Sequence, residues 1–308
     1  MTKLYVFTGF LGSGKTTLLS GLMRRLEDKK IGVIQNEFGK LGIDGEILNS
    51  NSIEMIEINK GSIFCSCLKL QFVAALTEMA EKDFQYLFVE SSGLGDPSNI
   101  EEILNVVSEV HGKDFDFSGV LCLVDAVNFL DQVKDEETVN RQLKHCHLAV
   151  ISKTDLVNQK HLAKVEAKIR EINPICRIEY SHNGTLSPEF LHDDLKRYQW
   201  AEGEDSLNSE DKKPKTLVMN FSEPFPRDKF ELFVGMVADD IYRVKGFAEI
   251  IDAGWQQIDI VGRNIDYKPC TTKEKPRLTI ISKIGPAIIK PLISAWNETV
   301  KTRMELKN

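Results

Sequence analysis

The chain has 308 residues, 42% hydrophobic and 28% charged, and its 39 Lys+Arg against 46 Asp+Glu give a net charge of -7. That length can bury a sizeable core and usually divides into about two domains, because single cores seldom grow past roughly 250 residues; disorder, collagen and coiled coil are excluded. The acidic balance excludes broad neutralisation of phosphates, so no nucleic acid partner is expected, and no apolar run approaches the ~20 residues that span a bilayer, so no membrane partner is expected either.

Leu4 to Leu11 is short, follows a single Lys3 and runs into Gly12-Ser13-Gly14-Lys15, so it reads as a strand and not as a secretory leader. A cytoplasmic protein is the expectation. The six cysteines, Cys65, Cys67, Cys122, Cys146, Cys176 and Cys270, form no regular framework, which argues against a disulfide scaffold.

In chain order, the nearly continuous apolar stretches Leu4 to Thr8, Ile31 to Gln35, Tyr86 to Glu90, Gly119 to Val124 and Leu148 to Ile151 predict strands covered on both faces. Helices are predicted at Lys15 to Asp28, Leu68 to Glu81, Ile100 to Val107 and Asn158 to Ile172, with a short strand-like run at Ile178 to Tyr180. This alternation predicts a parallel, doubly wound α/β sheet that binds ligands at the carboxyl ends of its strands. The alternation stops near Trp200. Residues 202–215 read EGEDSLNSEDKKPK, a solvated linker between a first domain at 1–201 and a small α+β domain at 216–308. In the latter, strands are predicted at Leu217 to Phe221, Ala248 to Ile251, Gln256 to Val261 and Leu278 to Ile281, and helices at Asp228 to Asp239 and after Pro286.

Gly9-Phe10-Leu11-Gly12-Ser13-Gly14-Lys15-Thr16 matches G-x-x-x-x-G-K-[ST] at every fixed position, directly after a predicted strand and before a predicted helix. Glycines let successive N–H groups turn inward around phosphate oxygens, and the helix adds the positive end of its dipole. Lys15 is expected on the β- and γ-phosphates and the Thr16 hydroxyl on Mg²⁺. Gly12, Ser13, Gly14, Lys15, Thr16 and Thr17 are therefore the expected phosphate-binding residues of a P-loop NTPase.

Glu90-Ser91-Ser92-Gly93 closes the strand beginning at Tyr86. An acid there can hold Mg²⁺ through water, and Gly93 lets its N–H approach the γ-phosphate. Asn36-Glu37-Phe38-Gly39 ends another strand and offers a second carboxylate, Glu37. Ser152-Lys153-Thr154-Asp155 resembles the guanine-reading N-K-x-D motif with Ser for Asn. The Asp155 carboxylate can accept from both N1–H and N2–H₂ of guanine, a donor pair adenine lacks, so Lys153 and Asp155 favour guanine at the loss of one side-chain contact from the Asn. Ser181, opening the loop Ser181 to Gly184, is expected near the base.

Together GFLGSGKTT, NEFGKLGID, ESSGLGDPS, SKTD and Arg243-Val244-Lys245-Gly246-Phe247 resemble the CobW-type GTPases over nearly the whole chain. The resemblance implies a GTPase domain joined to a CobW C-terminal domain. It implies GTP/GDP and Mg²⁺ as cofactors, and use of hydrolysis to pass a transition metal, zinc or cobalt in class, to a client metalloprotein or enzyme; a nucleotide-dependent dimer is left open. The family's metal motif is a C-x-C-C run after N-G. In Asn59-Lys60-Gly61-Ser62-Ile63-Phe64-Cys65-Ser66-Cys67, Ser62 and Phe64 replace the first two of those cysteines, Cys65 keeps the third and Cys67 is new. Two thiols one residue apart can face one ion, but tetrahedral Zn²⁺ takes four ligands; the family pattern implies Glu37 as a third, and soft thiolates also suit Cu(I). The alternative for this pair is reduced structural thiols.

The expected catalytic residues are thus Lys15, Thr16, Glu90 and Glu37, with Thr16, Glu37, Cys65 and Cys67 as metal contacts. His145-Cys146-His147 is a weaker metal cluster, in which alternate residues of an extended segment put both imidazoles on one side. Two rivals stand beside the metal-delivering GTPase: a metal-free GTP-dependent switch acting on a client enzyme, and a P-loop small-molecule kinase, which has no use for Asp155.

Overall fold

The computed structural model describes residues 1–37, 53–59, 62–65, 68–206, 215–271 and 276–307, with the backbone alone at Glu37, Asn59 and Asp135. They fall into two compact units, Met1–Lys212 and Lys213–Asn308.

The first unit is built on seven strands, β1 (Lys3–Gly9), β2 (Ile31–Glu37), β3 (Ile53–Asn59), β4 (Tyr86–Glu90), β5 (Asp116–Asp125), β6 (Leu148–Ser152) and β7 (Arg177–Tyr180). They form one sheet in the order β3-β2-β4-β1-β5-β6-β7, parallel at every pairing. Parallel neighbours need long crossovers. Those are supplied by α1 (Lys15–Arg25), α2 (Lys69–Ala80), α3 (Ile100–His111), α4 (Phe129–Asp135), α5 (Glu137–Lys144) and α6 (Gln159–Ile172). The central strands are buried on both faces, which is why their sequences are continuous apolar runs. One core layer packs Tyr5, Phe7, Phe88, Leu121 and Leu123 against Leu18, Leu19 and Leu22 of α1. Strand β1 lies between β4 and β5, so the loops leaving β1, β2, β4, β5 and β6 all emerge along one carboxyl edge.

Strand β3 was not among the predicted elements. Its sequence IEMIEIN is interrupted by Glu54 and Glu57, both exposed and three residues apart and so on opposite faces, as suits an edge strand and not a buried one. Helices α4 and α5, of 7 and 8 residues, are too short to establish a 3.6-residue period. Helix α3 runs on to His111, where Gly112 caps it in the left-handed conformation.

The second unit has a six-stranded antiparallel sheet of β8 (Thr216–Phe221), β9 (Ile241–Ile250), β10 (Gly254–Val261), β11 (Asn264–Pro269), β12 (Arg277–Ser282) and β13 (Met304–Lys307). Its order is β11-β10-β9-β12-β8-β13. Burial alternates along β8, β9 and β10, leaving one face for α7 (Arg227–Val237) and α8 (Ile289–Thr299). Phe221, Phe225, Phe230 and Phe233 surround Trp296 in that core. The edge strands β11 and β13 are polar and largely exposed, so no apolar signal announced them.

The expected linker departs from expectation at its start. Glu204 accepts from Lys144 Nζ at 2.7 Å and is bonded to His145 Nε2 at 2.7 Å, Arg141 donates to the Asp205 carbonyl at 2.6 Å, and the Ser206 hydroxyl donates to the Asp96 carbonyl at 3.2 Å. Residues 204–206 are therefore strapped onto the rest of the first unit by specific bonds that composition alone does not reveal, while 207–214 lie outside the described residues.

Candidate nucleotide-binding site

The loop between β1 and α1 is shaped by glycine. Gly14 caps α1 in the left-handed conformation, φ 95°, which turns the first N–H groups of the helix toward the loop interior. The first turn of α1 contains no acidic residue, so nothing on the helix offsets the positive end of its dipole. Lys15 is buried, its ammonium donating to the carbonyls of Gly9 at 2.6 Å and Phe10 at 3.2 Å. Its charge is thereby held inside the loop. Thr17, in the same turn, is exposed.

Two neighbouring strands aim polar groups at this loop. Glu90, the last residue of β4, is buried; its Oε1 accepts from the Thr16 hydroxyl at 2.5 Å and its Oε2 from Gln35 Nε2 at 2.8 Å. Gln35 and Glu90 are register partners on β2 and β4, which puts both side chains on the same face. The turn after β4 passes close under the loop: a Cβ on Gly93 would sit 2.8 Å from Leu11 Cα, so only glycine permits this approach. Gln142 of α5 holds the turn from behind, donating to the carbonyls of Gly95 at 2.8 Å and Gly93 at 3.3 Å. Asn36 is buried, its Oδ1 accepting from the N–H groups of Ile63 at 3.1 Å and Ser92 at 3.3 Å.

The loops after β6 and β7 lie beside the same helix. Ser152 Oγ donates to the Ser13 carbonyl at 2.8 Å and to the Val124 carbonyl at 3.2 Å. The serine therefore makes a side-chain contact to the phosphate loop, so of the two contacts named for the asparagine, to the ring or to this loop, the one to the loop is present. Lys153 has left-handed backbone, φ 57°, and its ammonium pairs with Asp125 Oδ2 at 2.7 Å. Asp155 is exposed within the turn Thr154–Leu156. Ser181 is buried, its N–H donating to the Ile151 carbonyl at 2.8 Å, and the following turn packs Gly184 onto Thr17, where a Cβ would lie 2.6 Å from the methyl group.

The structure thus brings Gly12, Ser13, Gly14, Lys15, Thr16, Glu90 and Gly93 to one edge, with Lys153, Asp155 and Ser181 on the loops beside them. Cys65 is buried in the turn leading into α2, with its N–H on the Ser62 carbonyl at 3.0 Å. The Glu37 side chain and Cys67 lie outside the described residues, and among the described residues no group of three or more His, Cys, Asp or Glu forms a metal cluster.

His145 and His147 do not share a site. His145 is bonded to Glu204, whereas His147 Nδ1 accepts from the Val120 N–H at 3.0 Å and its ring meets Phe117 edge-on. The segment is not extended there, because His145 caps α5. Sequence reasoning missed Gln35, Asp125 and Gln142; only the position of the first two at strand ends could have signalled them.

Residues 3–179 match the family described as CobW/HypB/UreG, nucleotide-binding domain, and residues 215–304 match the cobalamin synthesis protein cobW C-terminal domain. The chain is 28% identical over 310 residues to a zinc chaperone CobW of a Sinorhizobium species, covering 85% of each sequence. It is 27% identical over 220 residues to the zinc-regulated GTPase metalloprotein activator 1 of Dictyostelium discoideum, covering 59% of this chain and 46% of that one. Among solved structures, the Zn(II)-bound YjiA GTPase of Escherichia coli is similar at 21% identity and a TM-score of 0.48, covering 97% of this chain and 98% of that one. With more than half of its residues in the first match and nearly all of its second unit in the other, the chain belongs to the CobW family.

Proposed function

We propose that this chain is a GTPase that couples its nucleotide state to delivery of a transition metal, zinc foremost, into a client metalloprotein or enzyme. One observation carries the nucleotide half: the hydroxyl that closes the phosphate loop, Thr16, meets the strand-end carboxylate Glu90 at 2.5 Å, beside the buried ammonium of Lys15. Hard oxygen donors in that pairing suit Mg²⁺. When bound, Mg²⁺ supplies charge neutralisation at the β- and γ-phosphates.

The N–H groups of Gly12, Ser13 and Gly14 and the hydroxyl-bearing Thr16 and Thr17 receive the phosphates, and Lys15 shifts from the loop carbonyls onto phosphate oxygens. Glu90, held on its far oxygen by Gln35, keeps its near oxygen oriented toward Thr16. Gly93 presents the turn that senses the γ-phosphate, and Lys153, Asp155 and Ser181 receive guanine. Cys65, with Glu37 and Cys67, takes the zinc cargo. Support for the metal half comes from the family membership and from relatives named as a zinc chaperone and a zinc-regulated GTPase metalloprotein activator.

Phosphate release from GTP and ATP, with and without Mg²⁺, tests the reading. Mg²⁺-dependent release from GTP in clear preference to ATP is expected; phosphoryl transfer to a metabolite, or a preference for ATP, overturns it. Substituting Cys65→Ala and Cys67→Ala is expected to remove bound zinc while leaving GTP hydrolysis. Unchanged zinc content and client activity would support the metal-free switch.

A further inference from the structure

We infer that Gln35 completes the Mg²⁺ site from the β2 side: its Nε2 fixes Glu90 while its Oε1 accepts from a water of the ion's shell, so that Gln35 sets the Mg²⁺ affinity of the nucleotide complex. The inference rests on the GTPase reading above and adds a residue to that site.

Gln35 stands near the carboxyl end of β2 and is 2% exposed. Strand β2 lies between β3 and β4, and Gln35 is level with Glu57 on one neighbour and Glu90 on the other, so its backbone is held on both sides. The orientation of its carboxamide follows from Glu90. Oε1 of Glu90 accepts from the Thr16 hydroxyl at 2.5 Å and Oε2 accepts from Gln35 Nε2 at 2.8 Å. A carboxylate has no proton to donate, so the amide nitrogen must face it, and this bond fixes which arm of the fork is oxygen. Gln35 Oε1 takes the other arm. It is buried and has no hydrogen-bond partner among the described residues.

A buried acceptor left unpaired is costly, and native structures pair nearly all of them. This one belongs to the side chain that grips Glu90, beside the hard oxygens that suit Mg²⁺. What a bound nucleotide and its ion bring narrows the partner. Phosphate oxygens without protons only accept, so they cannot pair with a carbonyl oxygen. Mg²⁺ gives up water reluctantly and keeps several molecules in its shell, each with protons to donate. Oε1 therefore fits a metal-bound water. Ser13 Oγ in the phosphate loop and Ser92 Oγ in the turn after β4 are also buried without partners among the described residues, but a hydroxyl can donate, and these two suit phosphate oxygens instead.

Glutamine performs both tasks without adding charge. A glutamate would set a second carboxylate within hydrogen-bond distance of Glu90, whereas a methionine would remove the donor to Glu90 and the acceptor together.

The test measures the affinity for labelled GDP in excess EDTA and across a Mg²⁺ titration, in wild type, Gln35→Met and Gln35→Glu. Binding of Mn²⁺, standing in for Mg²⁺, is followed by electron paramagnetic resonance in the same GDP complexes. Without divalent ion the three proteins are expected to bind GDP equally, because Gln35 reaches the phosphate loop only through Glu90. In Gln35→Met the affinity for Mg²⁺ and Mn²⁺ falls about 10- to 100-fold, as for other residues that act on a metal through its shell. Gln35→Glu, which keeps an acceptor, holds both affinities at or above wild type. A methionine variant with wild-type Mg²⁺ dependence overturns the inference, and so does a glutamate variant weakened as much as the methionine one. Equal loss of GDP affinity with and without Mg²⁺ assigns Gln35 a packing role and overturns it too. If Gln35→Met does not fold, Gln35→Glu decides: retained ion affinity supports the inference and a loss of about 10-fold overturns it. Wild-type protein that binds neither GDP nor GTP removes the GTPase reading and this inference with it, whereas GDP binding whose ion dependence ignores Gln35 removes the inference only.

Discussion

The turn that faces the phosphate loop is constrained by what surrounds it. A methyl group on Gly93 would collide with the backbone of Leu11, and an atom of the main chain cannot rotate away. Gly93→Ala is therefore expected to displace the turn by several tenths of an ångström and to lower GTP hydrolysis about 100-fold, as small misplacements at a reacting centre can. Circular dichroism should still report a folded chain, and wild-type hydrolysis rates would contradict the assignment.

Asp155 is exposed and available to a ligand, so Asp155→Asn should exchange acceptor for donor without disturbing the fold. Binding of GDP is expected to weaken about 10- to 100-fold, the loss of a charge-assisted hydrogen bond, while xanthine nucleotides, which carry a carbonyl where guanine has its amino group, should gain. Fluorescence titration with labelled nucleotides reads both. At this scale the sequence announced what a spacing rule can encode: Lys15, Thr16, Glu90 and Asp155 follow motifs. Gln35 and Asn36 were not legible as partners of Glu90 and Ser92, because those contacts join residues more than fifty positions apart and are created by the register of β2 on β4. The Ser152 contact to Ser13 was not legible for a related reason, since hydroxyl reach depends on how close two loops come.

At the scale of elements, the buried strands of the first sheet could be read as apolar runs, but their edges and short connections could not. Strand β3 and helices α4 and α5 carry as much charge as a loop, and tertiary pairing makes them regular. The junction of α5 and β6 has an electrostatic consequence. Burial, reinforced by the nearby Lys196, lowers the His147 pKa from 6.5 to about 4, and protonating Nδ1 would break its bond from the Val120 N–H. The folded state holds this ring neutral where the unfolded chain binds a proton. Its contribution is thus fully present above pH 6.5 and is lost as pH falls toward 4, amounting to about 3 kcal/mol.

His145, lowered chiefly by burial, acts in the same direction. Glu204, lowered to about 2 by its bonds from Lys144 and His145, adds a loss only below the ordinary carboxylate range. Urea unfolding between pH 7.5 and 4.5 is expected to show stability falling with acid, and His147→Asn, whose amide oxygen can replace Nδ1, should flatten the slope. A pH-independent midpoint in the wild type would contradict a neutral buried imidazole.

At the scale of the molecule, the two cores are separate: an α/β sheet carrying the nucleotide edge and an antiparallel sheet packed around Trp296. Among the described residues no helix is long and apolar enough to cross a membrane. Of the acid that makes the net charge -7, Glu90 and Asp125 are committed to buried bonds at the strand ends and Glu204 to the strap. Composition did not distinguish those carboxylates from solvated ones; strand-end position did for Glu90 alone.

In the proposed function, guanine-nucleotide state and metal affinity are linked in one chain, and zinc titration of the reduced protein in its nucleotide-free, Mg²⁺·GDP and Mg²⁺·GTP-analogue forms measures that link. Zinc affinity is expected to differ between the last two by at least about fivefold, with the same factor recovered as a zinc-dependent change in nucleotide affinity; equal zinc affinity in all three forms would overturn the link.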